Sequence, residues 1–213
     1  MAQILCLLLL ICPLTLAAEE RLWVANFAVD GQGIKAFKQK GFVGRTEYQV
    51  VTLDNRPVLR AKSARNASAL YREMDINLLL TPFLSWQWRV ENTLLIPDQR
   101  IKDGDDFPAR VYVVVKQGFF PWQTKALNYV WSNNKESEPF WANPFTTKAA
   151  MIPVRAGRDG LGQWHTERVN VADDFYRVFG ERIEAAHGVA IMSDTDNSGG
   201  SATAYFGDIF FSQ

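Results

Sequence analysis

Cysteine is nearly missing from this chain of 213 residues: Cys6 and Cys12 are its only two, and both sit in an apolar leader. Once that leader is removed, disulfides, thiolate nucleophiles and cysteine metal sites are all excluded. Histidine is equally scarce, with His165 and His187 alone. A Ser-His-Asp triad would need one of them, and neither is accompanied by a Gly-x-Ser-x-Gly elbow. Charge of one sign is not in excess either, since Lys plus Arg and Asp plus Glu are both 23 and no run of like charge stands out. That balance argues against nucleic acid and against an anionic membrane surface as partners. No apolar run is long enough to span a bilayer, because Ile4 to Leu16 falls short of the ~20 residues required and contains Pro13. The mature form therefore has no integral membrane segment.

The leader itself is informative. Ile4 to Leu16 is uncharged, ends at Ala17 and Ala18, and gives way at once to Glu19, Glu20 and Arg21, the pattern of a cleaved signal peptide over residues 1–18. Residues 19–213 are then one exported domain, periplasmic or secreted. The lack of disulfides suits a bacterial periplasm. Asn66-Ala67-Ser68 is formally a glycosylation sequon, of consequence only in a eukaryotic secretory pathway.

What the mature chain does have is alternation. In Phe83 to Val90 the residues Leu84, Trp86, Trp88 and Val90 share one face and Ser85, Gln87 and Arg89 the other, the period of a half-buried strand. Similar strands are expected at Leu22 to Phe27, Thr46 to Leu53, Pro57 to Lys62, Arg110 to Lys116, Ala126 to Ser132, Ala149 to Arg155, Trp164 to Val171, Gly188 to Ser193 and Ala202 to Phe211. Gly, Pro, Asn and Asp clusters separate them. Helix is expected only around Ile34 to Lys40 and Ala172 to Phe179, the second with Asp173 or Asp174 near its start. About ten strands in one domain predict an all-β two-sheet sandwich of jelly-roll type with one or two short helices; a closed lipocalin-like barrel is the alternative.

The stretches LSWQWRV, GDDFPARVYVVV, ALNYVWS, LGQWHTERVNV, FYRVFG and GVAIMSDTDNSGGSATAYFGDI, spread over nearly the whole mature chain, together resemble the bacterial family called domain of unknown function 3047. The resemblance implies an exported single domain with no established activity. The Tyr205 to Phe210 ending is similar to the last strand of galactose-binding jelly rolls.

Four features bear on function. Gly31-Gln-Gly33-Ile-Lys-Ala36 matches a dinucleotide-binding GxGxxA, but the strand and helix alternation of a doubly wound sheet does not follow it. It reads as a Gly-rich turn, and no organic cofactor is expected. Phe119-Phe-Pro-Trp122 and Phe140-Trp141-Ala-Asn-Pro144 are aromatic connections. Flat rings at Trp122 and Trp141, beside the carboxylates of Asp105 and Asp106, are what a carbohydrate face uses: stacking on C–H faces and directed bonds to hydroxyls. The competing reading buries those rings under the sandwich ends. Asp103-Gly-Asp105-Asp106 and Asp194-Thr-Asp196 are two acidic knots. Brought together, they could form the carboxylate pair of a glycan hydrolase or lyase; apart, each is a turn in which Asp bonds nearby amides.

Asp194-Thr-Asp-Asn-Ser-Gly199 also has the first, third, fifth and sixth positions of a calcium loop, but the twelfth is Tyr205. A helix-loop-helix site is excluded. What remains is a strand-to-strand turn whose Asp194 and Asp196 could hold a weak structural Ca²⁺ with a third acid such as Asp105 or Asp208. The reading is a ligand-binding domain, with glycan as ligand and no chemistry of its own. A glycan-active enzyme and an interaction protein of the envelope are the alternatives.

Overall fold

A computed structural model describes residues 20–29, 33–118, 123–135 and 138–213. The leader, Gly31 of the GxGxxA match and Trp122 lie outside them. The described residues form strands β1 (Leu22–Ala25), β2 (Lys38–Val43), β3 (Glu47–Leu53), β4 (Arg56–Ala64), β5 (Ala67–Asn77), β6 (Phe83–Val90), β7 (Arg110–Lys116), β8 (Thr124–Ser132), β9 (Trp141–Asn143), β10 (Thr146–Ala156), β11 (His165–Asn170), β12 (Ala185–Asp194) and β13 (Ser201–Ser212). A single α-helix among them, α1 (Val171–Phe179), joins β11 to the segment before β12.

The strands make two sheets. One runs β11-β6-β13-β4-β3 with β1 added on β13; the other runs β2-β5-β12-β7-β8-β10-β9. The antiparallel pairs β4/β13, β5/β12, β6/β11 and β7/β8 are nested, and each successive pair lies in the opposite sheet. That is a two-stranded ribbon wrapped around a core, the jelly roll.

Side-chain alternation explains the layers. Trp86 and Trp88 of β6 are fully buried and meet edge to face at 5.4 Å, with Tyr129 and Trp131 of β8 at 5.4 and 5.9 Å from the opposing sheet. Phe206, Ile209 and Phe211 complete the interior. Asp54 and Asn55 turn β3 into β4 with φ of 51° and 60°, the two positive values a type I′ hairpin requires. Helix α1 starts because the Asn170 side chain accepts from the amides of Ala172 and Asp173. It stops at Gly180, φ 71°, whose N–H bonds the Tyr176 carbonyl.

Three strands differ from expectation. The segment expected to be helical from Ile34 to Lys40 is a 3-10 turn over Ile34–Ala36 followed by edge strand β2. Every β2 residue is exposed, so no apolar period marks it. Strand β5 is concealed by Arg72, whose guanidinium bonds the Val24 carbonyl at 2.6 Å and the Trp23 carbonyl at 3.2 Å. An arginine thus occupies a position where alternation calls for an apolar residue. Strand β9 has only three residues.

Candidate functional site

The two acidic knots converge. Asp194 ends β12 and Arg110 opens β7, its partner strand, so their side chains project from one face of the sheet. Arg110 Nε donates to Asp194 Oδ1 at 2.7 Å and Nη2 to the other oxygen, while Nη1 lies 3.5 Å from Asp105 Oδ2. Asp106 accepts the amides of Asn197 and Ser198 at 3.3 and 2.5 Å, which clamps the turn between β12 and β13. Carboxylate oxygens of Asp106, Asp194 and Asp196 lie within 4.8 Å of one another.

All of this knot but the half-buried Asp196 is inside the protein. Asp106 is 0 % exposed, Arg110 and Asp194 2 %, and Asp105 7 %. Burial pushes the Asp194 carboxyl up to about 8 despite Arg110, and burial together with Asp106 raises Asp196. Asp105 Oδ1 is buried with no donor. Asp208 takes no part in the trio; its carboxyl is raised by burial and feels Arg56 and Arg21 instead.

Trp141, a candidate stacking ring, sits in β9, 7 % exposed, stacked on Phe107 at 6.3 Å and packed with Val130 and Met151, so the reading that buries it is the one the structure supports. Phe107 links it to the charged knot, with the Arg110 guanidinium over the Phe107 ring at 4.5 Å, and Asn143 of the same strand bonds Asp105 at 3.1 Å. Asp105 and Asp106 are likewise interior groups bonded to protein partners, not an open binding face. The histidines stay apart from this chemistry. His165 packs on Trp131 and bonds the Gly160 carbonyl; His187 accepts the Lys116 amide.

The open surface beside the knot has a different character. On the outer face of the seven-stranded sheet, Lys38, Tyr71, Ala190, Tyr112 and Asn128 form one row across β2, β5, β12, β7 and β8, and Lys40, Ala69 and Met192 form the next. Ala69 and Ala190 are small, so a trough of about 380 Å³ opens between Phe42, Tyr71 and Tyr112. Phe42 is 57 % exposed. The Tyr112 hydroxyl bonds Met192 Sδ at 3.3 Å and sits beside Arg110, joining the trough to the knot. A second hollow of about 470 Å³ continues it past Val114 toward Lys148.

Sequence reasoning missed Phe42, Tyr71 and Tyr112. The signal was available in β7, where Val111 to Val115 is apolar on both faces; a strand with one wet face would alternate. A larger hollow of about 560 Å³ lies among Leu94, Leu95 and Asn133 at one end of the sandwich. Its amides are committed to holding loops: Asn133 bonds Leu94 N and Asp106 O, and Asn134 bonds Ile96 O.

Fold and surface together define a jelly-roll β-sandwich carrying an aromatic trough on one sheet. The chain belongs to the family DUF3047, described as protein of unknown function, whose profile matches residues 34–210. No curated protein matches it. Similar solved structures include the family 30 carbohydrate-binding module of a Clostridium thermocellum cellulosomal cellulase, with 10 % identity over 84 % of this chain and 91 % of that one and a TM-score of 0.46. The metal-free lectin I-B4 of Griffonia simplicifolia has 14 % identity over 91 % and 98 %, TM-score 0.44. A cellulase derived from Cel12A of Rhodothermus marinus has 9 % identity over 81 % and 100 %, TM-score 0.42.

Proposed function

We propose that this protein is an exported domain that binds a glycan in the trough on the outer face of the β2-to-β9 sheet, without catalysis. The observation that carries the reading is the trough itself: exposed Phe42 with Tyr71 and Tyr112 around a floor of alanines. Apolar rings in a shallow hollow suit the C–H faces of pyranose rings, and the Tyr71 hydroxyl and Lys40 supply directed polar contacts. Hydrolysis needs two carboxylates that reach the scissile bond. Here Asp106 and Asp194 are buried and bonded to amides and Arg110, so the geometry favours binding over chemistry. The test is affinity electrophoresis through gels containing a panel of polysaccharides. Retardation by a member of the panel, lost in Phe42→Ala and Tyr71→Ala proteins of unchanged melting temperature, supports the reading.

A structural cation in the knot is a second proposal. Three carboxylates within 4.8 Å face a single buried arginine, and their oxygens that already accept one hydrogen bond keep a further lone pair. Asp106, Asp194 and Asp196 would be the ligands. Oxygen-only donors suit Ca²⁺ and exclude a softer metal. Protons on the same carboxyls are the competing solution.

A further inference from the structure

The central strand of the six-stranded sheet is broken on the side of the sandwich away from the trough. Phe206 of β13 pairs with Trp88 and Ile209 with Trp86, so Gly207 and Asp208 both stand opposite Gln87, a β-bulge. Phe206 and Ile209 belong to the core, which turns both bulge residues to the outer face; a bulge re-aims a side chain in this way. Gly207 sits beneath Trp164, where an added Cβ would come within 3.1 Å of Gln87 and 3.8 Å of the Trp164 ring. Asp208 is half-buried, yet among the described residues it accepts no hydrogen bond and joins no ion pair. Other acids on this side are matched: Glu47 with Arg60 at 2.6 Å, Glu91 with Arg89 at 2.7 Å and Asp54 with the Trp164 indole at 2.9 Å. Arg56 and Arg21 are close enough for their charge to act on the Asp208 carboxyl, but both are held elsewhere. Arg56 bonds Gln87 at 2.5 Å and lies 3.9 Å over Trp164; Arg21 lies 4.3 Å over Phe210, which also packs on Trp23.

A carboxylate with open acceptor positions, between two arginines that stacking holds off it, calls for a ligand that donates hydrogen bonds and carries no charge. A cation would meet Arg21 and Arg56, and an anion would meet Asp208. One carboxylate is also too few oxygens for Ca²⁺. Neighbouring hydroxyls of a sugar satisfy the set: two O–H groups donate to the carboxylate, and sugar oxygens accept from a guanidinium. Trp164 approaches the bulge from the β6 side and Trp23 stands across β13 in β1, so apolar surface for C–H groups lies on either side. We infer that the outer face of the six-stranded sheet carries a second saccharide site, which takes one neutral pyranose unit at Asp208, with Arg56 as donor and Trp164 and Trp23 as its apolar sides. The site is independent of the trough, and with a single unit to hold it is the weaker of the two.

The experiment is a nitrogen–proton NMR titration of the intact domain with the methyl glycosides of glucose, galactose and mannose. At least one of them should shift the Gly207 and Asp208 amides and the indole N–H signals of Trp23 and Trp164, with a Kd in the millimolar range. Asp208→Asn keeps the shape but gives up the charge and one acceptor oxygen, and should weaken that binding at least about tenfold, as loss of hydrogen bonds to a charged group implies. Phe42→Ala should leave it unchanged, which separates this site from the trough. Methylammonium and acetate should produce no such shifts. Shifts at the bulge that survive in the Asp208→Asn protein, or that either ion reproduces, overturn the inference. Shifts confined to Tyr71, Tyr112 and their neighbours overturn it while supporting the trough. Silence at the bulge from all three glycosides overturns it as well, whatever the trough binds.

Discussion

Arg110 is the residue on which most of the charged chemistry converges. It is one buried cation bonded to Asp194 and close to Asp105; burial opposes its charge, and those two side chains offset that cost. Removing either would leave a buried guanidinium with unmet hydrogen bonds. Trp141 packs behind Phe107, whose ring carries the Arg110 guanidinium. Trp141→Ala should therefore lower the melting temperature through a cost of roughly 3 to 5 kcal/mol, the range for large aromatic truncations in cores, and leave glycan affinity per folded molecule unchanged. Loss of affinity at constant stability would return Trp141 to the binding surface. Trp86→Ala, in the main core between Trp88 and Tyr129, should cost a similar amount in chemical denaturation. An unchanged midpoint would contradict the packing described.

At the scale of elements, legibility followed burial. Phe83–Val90 and Arg110–Lys116 are strands with the bounds their sequences imply, because each puts one complete apolar face into the core. The helix expected from Ala172 to Phe179, with Asp173 or Asp174 near its start, runs from Val171 to Phe179, and its cap is Asn170. Asn170→Ala should cost about 1 kcal/mol in global stability by freeing two amides; a change within ~0.3 kcal/mol would mean that packing of Phe175 alone holds the helix. Strands β2 and β5 escaped because an exposed edge has no period and because Arg72 turns inward. The site was less legible than the fold. Its acidic knot forms from residues 84 to 92 positions apart in the chain, and its trough from outward-facing positions on four strands. Only β7 shows a second apolar face by itself, in Val111 to Val115, and pairing across the wrapped ribbon joins it to Phe42, Tyr71 and the alanines of the other strands.

The molecule as a whole should lose stability as pH rises. The carboxyls of Asp174, Asp194, Asp196 and Asp208 are all raised chiefly by burial, Asp194 to about 8. Between an unfolded carboxylate value of ~3.9 and these folded values the native state binds more protons, so unfolding free energy falls as pH rises from about 4 to about 8. Asp98 and Glu181 shift the other way but are fully exposed, and solvent screening makes them minor. Thermal scans from pH 4.5 to 8 should show a falling melting temperature; a rising one would contradict the buried knot. Calcium would replace those protons, so its effect should be largest near pH 8. At ~1 mM and a Kd of ~10⁻⁴ M it adds about 1.4 kcal/mol, or roughly 3 to 5 °C. A melting temperature indifferent to Ca²⁺ at pH 8 would leave protons and Arg110 as the only counter-charges.

The most direct test of the account is the affinity of the intact domain for polysaccharide before and after the trough is stripped of its rings. Phe42 and Tyr71 lie on two adjacent strands of the open sheet face, and neither belongs to the sandwich interior. With the bound polymer identified by gel retardation, titration calorimetry of the Phe42→Ala/Tyr71→Ala protein should show affinity reduced at least about thirtyfold, as loss of central aromatic anchors of ~2 kcal/mol or more implies, with the melting temperature within a few degrees of the parent. Full affinity in that double variant would place the ligand elsewhere on the molecule and contradict the proposed site.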